Sequence, residues 1–116
     1  MARTKKTQKY ARRKDAEESV ASRKTKGVLI RRRVNFSVQA AIGSTVYLSG
    51  SFNDWSVDRK QLKDAKGTGH FTGFLFLLPG RYEYKFIING IWEIDAQNPD
   101  FVSNGMNSLN SVIVVE

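Results

Sequence analysis

The sequence predicts an all-β sandwich with a basic arm ahead of it. After Gly27 the apolar residues recur with period two, and no helical period is found from there to the end. Turn formers interrupt the pattern at short intervals, leaving about seven short strands. Charge divides at the same place. Residues 1–33 hold 13 of the 19 Lys and Arg and 3 of the 11 acids, a net of +10, whereas residues 34–116 come to −2. The basic character therefore belongs to the arm and not to the sandwich.

The arm, residues 1–27, has almost no large apolar side chains and cannot offset the entropy of ordering. It is expected to be mostly disordered. One short helix is signalled near 16–26, with Asp15 as cap, Glu18 three residues on and Gly27 as stop. Its apolar stripe is only Ala16 and Val20, too little to hold a helix of that length without packing. Clustered Lys and Arg of this kind make weak, salt-sensitive contact with polyanions. The opening ARTKK resembles a core histone tail over too few residues to carry weight.

Residues 28–116 form the predicted module. In VNFSVQA, Val34, Phe36, Val38 and Ala40 share one face. Ile42-Gly43-Ser44 reads as a turn, and TVYLSG sends Val46, Leu48 and Gly50 to one side. The polar stretch from Asn53 to Gly69 offers Val57 and Leu62 as anchors. HFTGFLFLL is a near-continuous apolar run, as expected of a central strand, and Pro79-Gly80 ends it. RYEYKFII alternates again, a polar loop spans 97–110, and SVIVV closes the chain.

Asn89-Gly90 is the strongest hairpin signal, favouring a two-residue type I′ turn. Such a turn sets Ile88 against Ile91, Ile87 against Trp92, Phe86 against Glu93 and Lys85 against Ile94. Tyr82, Tyr84, Phe86 and Ile88 then face the core, while Lys85, Ile87, Trp92 and Ile94 face away. Lys85 and Trp92 become diagonal neighbours within reach of each other. The plainer interpretation has Trp92 covering a satellite cluster with Ile87 and Ile94, and Lys85 solvated. The other tryptophan, Trp55, lies beside the turn formers Asn53 and Asp54 in GSFNDWS. Two tryptophans in polar settings suggest a binding surface. Flat aromatic faces suit the apolar faces of sugar rings and nucleobases equally well.

Composition removes several chemistries. With no cysteine there is neither a disulfide nor a thiolate site. No apolar run approaches membrane-spanning length, and no apolar core follows the basic N-terminus as in a signal peptide. A cytoplasmic location is expected. The lone His70 has no serine–acid arrangement around it, and Asp54, Asp58 and Asp64 miss the calcium-loop spacing. No catalytic residue, metal site or cofactor is expected, and a small sandwich gives paired carboxylates no cleft for glycoside hydrolysis.

Taken together, VYLSGSFNDW, PGRYEYKFIINGIWEIDAQNP and the closing LNSVIVV resemble a family 48 carbohydrate-binding module, over roughly Arg33 to Glu116. Such modules occur as the glycogen-binding domain of the AMP-activated protein kinase beta subunit and as the early-set domain of isoamylases and branching enzymes. The resemblance implies an immunoglobulin-like antiparallel sandwich that binds α-1,4-linked glucan such as glycogen, starch or cyclodextrin-like oligosaccharides. It implies that Trp55 and Trp92 stack on glucose rings and that Lys85 and Asn110 bond sugar hydroxyls. Met106 and Ser108 match the positions that lie against the sugar. Two other functions stand beside this one: a protein-interaction module of the same fold without sugar binding, and polyanion or nucleic-acid contact through the arm.

Overall fold

A computed structural model of the chain describes residues 30–116. The arm and its short helix lie outside the described residues. Eight strands follow among those described: β1 (Arg32–Gln39), β2 (Val46–Gly50), β3 (Gln61–Leu62), β4 (His70–Leu77), β5 (Gly80–Ile88), β6 (Ile91–Glu93), β7 (Phe101–Ser103) and β8 (Leu109–Val115). A 3-10 turn, Ser51–Asn53, follows β2.

β1 and β4 pair as one sheet, and the second sheet has the order β3-β2-β5-β8-β7, with β6 also on β5. All pairings are antiparallel. This is the expected immunoglobulin-like sandwich. Its core lies between the sheets, where Phe36, Val46, Leu48, Leu62, Phe71, Tyr84 and Phe86 form one cluster. Val34, Val38 and Ala40 pack against it, so the inward face read for the first strand holds. Phe36 meets the Tyr84 ring edge-on at 5.2 Å, an arrangement that aromatic quadrupoles favour.

β5 organises the larger sheet. One of its edges pairs with β2 from Tyr84 to Ile88. Its other edge is shared, with β8 pairing from Gly80 to Tyr84 and β6 from Phe86 to Ile88. Lys85 sits at the point where one partner leaves and the next begins.

Four sequence expectations need correction. The apolar run at 70–78 is not buried on both faces. β4 alternates, with Phe71 and Leu77 buried while Phe74 and Phe76 are exposed. Such a run cannot show by itself whether its second face is covered. Val57 is exposed and anchors nothing, whereas Leu62 is buried as expected. The 97–110 segment is not a simple loop, because it contains β7. Lys85 is only 9% exposed, so it is not the solvated cation of the plainer interpretation.

Candidate functional site

The turn after β2 is built by Asn53. Its Oδ1 accepts from Gly50 N at 3.1 Å, and its Nδ2 donates to Leu48 O at 3.2 Å. Trp55 N donates to Gly50 O at 2.9 Å, closing the turn. Asp54 and Trp55 both adopt the left-handed region, with φ of 56° and 58°. Holding a bulky residue there costs about 1–3 kcal/mol and persists only where surrounding bonds dictate it. The Trp55 side chain is half-buried and stands outside the core cluster.

The hairpin supplies the second indole. Asn89 and Gly90 have φ of 51° and 84°, both positive as a type I′ turn requires. Asn89 also ties the tip to the start of β2, accepting from Thr45 N at 3.0 Å and donating its own N–H to Thr45 O at 2.9 Å. The register is the expected one from Phe86–Glu93 to Ile88–Ile91, with Ile87 opposite Trp92. β6 ends at Glu93, so the anticipated Lys85–Ile94 pair lies beyond the ladder. Trp92 is 41% exposed. Its ring centroid is 6.4 Å from that of Trp55, with 48° between the planes. The two indoles touch as one bent surface.

The face of β5 opposite the core runs beside that surface. Lys85 Nζ donates to Ser108 Oγ at 2.5 Å, which uses one of its three N–H donors. The β5–β8 register, continued by one residue, sets Lys85 opposite Asn110. Asn110 is itself buried and donates through Nδ2 to Glu83 Oε1 at 2.9 Å. Arg81 Nη1 holds the other Glu83 oxygen at 2.9 Å. The Asn110 amide first, and Arg81 second, keep the Glu83 carboxyl below its ordinary value. An ionised carboxylate can only accept, so it fixes the Asn110 amide with Oδ1 turned away from Glu83.

Trp55, Lys85, Trp92, Met106 and Asn110 line one open cleft of about 970 Å³. Five of the six residues expected from the sequence are thus brought together. The sixth, Ser108, does not line the cleft but accepts the hydrogen bond from Lys85. Met106 stands on a tight tip between β7 and β8, where its N–H donates to Asn104 Oδ1 at 2.8 Å and Asn104 N–H donates to Ser108 O at 3.0 Å. It is 80% exposed.

Sequence reasoning missed Arg81, Glu83, Ser51, Ser103 and Asn104, which also line the cleft. The signal for the first two was present. Arg81 and Glu83 share a face with Lys85 by simple alternation.

The segment after Trp92 is pinned from beneath. Tyr84 Oη donates to Asp95 Oδ2 at 2.7 Å and accepts from Asn98 Nδ2 at 3.0 Å. Burial, with the Asp95 charge beside it, pushes the Tyr84 hydroxyl well above its ordinary value, so it stays a donor.

His70 lies elsewhere, with Nδ1 3.0 Å from Gln39 Nε2. Asp64 spends its carboxylate on Thr68 N and Gly69 N at 2.9 and 2.7 Å, as a turn residue. Among the described residues, no three His, Asp or Glu side chains converge as metal ligands. Nor is any helix there long and apolar enough to cross a membrane.

Known proteins share this arrangement of sequence. The chain is 40% identical over 72 residues to Protein PTST homolog 2, chloroplastic, of Arabidopsis thaliana, covering 62% of this chain and 13% of that protein. It is 40% identical over 73 residues to Protein FLOURY ENDOSPERM 6, chloroplastic, of Oryza sativa subsp. japonica, again covering 13% of the relative. It is 36% identical over 74 residues to 5'-AMP-activated protein kinase subunit beta-1 of Homo sapiens, covering 64% of this chain and 26% of the subunit. The matched region is thus a small part of each of these relatives. Residues 34–116 match the family described as the glycogen recognition site of AMP-activated protein kinase, and the chain belongs to that carbohydrate-binding family.

Proposed function

We propose that the cleft binds α-1,4-linked glucan of the glycogen or starch type, without catalysis. The observation that carries this is the bent surface of Trp55 and Trp92, 6.4 Å apart and tilted by 48°, with Lys85 and Asn110 beside it. In an α-linked chain successive glucose rings turn against one another, and a tilted pair of platforms follows that turn. A β-linked chain is a flat ribbon and would meet only one of the two rings squarely. Lys85 supplies N–H donors and Asn110 Oδ1 an acceptor, which together match the dual donor and acceptor character of sugar hydroxyls. Ser108 keeps the ammonium in place, and Met106 covers the far side of the chain.

The relatives' names include chloroplastic proteins as well as a kinase subunit, and the proposed ligand is the storage α-glucan of the compartment that holds this chain, proposed to be the cytoplasm. Retention on immobilised glycogen, competed by β-cyclodextrin but not by cello-oligosaccharide, tests the reading. Retention competed equally by both sugars, or no retention, would refute it.

A further inference from the structure

The outer face of the β1–β4 sheet carries an aromatic and cationic patch unrelated to the cleft. The register places Arg33 opposite Phe76 and Asn35 opposite Phe74, and all four side chains are exposed. Phe76 is 55% exposed. The two rings meet edge to face at 5.6 Å. The Arg33 guanidinium lies 4.0 Å from the Phe74 ring centre and the Lys60 ammonium 5.5 Å from it. Arg31 reaches over the same end, with Nη1 3.4 Å from Phe76 O. Among the described residues, none of these three cations has a carboxylate partner. Two phenylalanines left 39% and 55% exposed on the solvent face of a strand form an apolar patch rimmed by charge, which marks a contact surface.

Charge decides the occupant. A second copy would bring the same three cations face to face with these. The chain's own residues 1–29 carry 10 Lys and Arg against 3 acids, a net charge of the same sign as the patch. A single-stranded nucleic acid would stack its bases on free aromatic faces, and with the Phe74 face taken by the guanidinium only the Phe76 ring is left to it. Carboxylates, in contrast, could pair with Arg31, Arg33 and Lys60 while an apolar side chain covers the phenylalanines. We infer that the outer face of the β1–β4 sheet, centred on Phe74, Phe76 and Arg33, docks an acidic polypeptide segment that carries exposed apolar side chains.

The test uses the full chain and a fluorescent peptide of alternating glutamate and leucine, with all-glutamate and lysine–leucine peptides as comparisons. The substitutions Phe74→Ser with Phe76→Ser, and separately Arg33→Glu, lie on solvent-exposed positions remote from the cleft. Wild type should bind the glutamate–leucine peptide at least tenfold more tightly than either comparison, and more weakly as salt rises. Both variants should lose at least tenfold of that binding while keeping wild-type melting and glycogen retention. No binding, equal binding of the all-glutamate peptide, or binding indifferent to the substitutions would overturn the inference. So would an oligonucleotide that displaces the peptide from these same residues, or a dimer in sedimentation that Phe74→Ser with Phe76→Ser dissolves.

Discussion

Glu83 accepts the Asn110 side-chain amide at 2.9 Å across the β5–β8 ladder, 27 residues away in the chain. The contact decides which end of that amide faces the cleft. Glu83→Gln keeps the shape but introduces a donor, so the Asn110 amide can sit either way round. Glucan affinity should fall several-fold with melting almost unchanged. The same bond gives a pH dependence. A carboxyl held below its ordinary value of 4.5 stabilises the fold above that value. Its contribution is lost as pH falls through the lower folded-state value. Binding and stability should therefore both decline below about pH 4.5, and Glu83→Gln should flatten this part of the profile. An unchanged profile in the variant would remove Glu83 from the site.

Trp55 has φ of 58°, a conformation that glycine adopts freely. Trp55→Gly removes the ring and relieves the backbone together, so unfolding by urea should shift little. Trp92→Ala removes a ring that is already 41% exposed and should also fold normally. Each should weaken glucan binding by roughly tenfold to a hundredfold, if a stacked ring is worth about 1–3 kcal/mol as for bases. Early melting of both, with binding intact, would make the indoles packing residues.

Gly90 has φ of 84°, and an added Cβ would meet nothing within 4 Å. Any cost of Gly90→Val therefore comes from backbone strain and not from a clash. It should lower stability by about 1–3 kcal/mol in denaturant titrations and loosen Trp92. Wild-type stability would contradict the turn geometry.

Ser49 lies opposite Lys85 in the β2–β5 register, fully buried, and its Oγ has no hydrogen-bond partner. A hydroxyl stripped of water without compensation costs about 1–3 kcal/mol. Ser49→Ala should accordingly leave the domain as stable as before or raise its melting temperature, with glucan binding retained. A clear loss of stability would show that the hydroxyl has a partner in solution.

Local signals made the hairpin readable. Asn89-Gly90 selects its own turn, and the turn fixes Ile87 opposite Trp92. Alternation then placed Tyr84 and Phe86 in the core and Lys85 on the other face. What lay beyond reach depended on distant pairing. Glu83 and Asn110 meet only because β8 joins β5 in one register, which no local pattern specifies. The burial of Lys85 escaped for the same reason, since Ser108 is 23 residues away. Phe74 and Phe76 misled because an apolar run looks the same whether its second face is covered or open. Trp55 was legible as an anomaly in a polar turn, but its left-handed backbone was not.

The chain's two tryptophans both lie on the cleft, so its intrinsic emission reports the site without a label. Titration with β-cyclodextrin should give a saturable change in tryptophan fluorescence. That change should be reduced in Trp92→Ala, and in Lys85→Ala it should require roughly tenfold more sugar. Emission that stays constant up to millimolar cyclodextrin, in a chain that is folded by circular dichroism, would contradict glucan binding at Trp55 and Trp92.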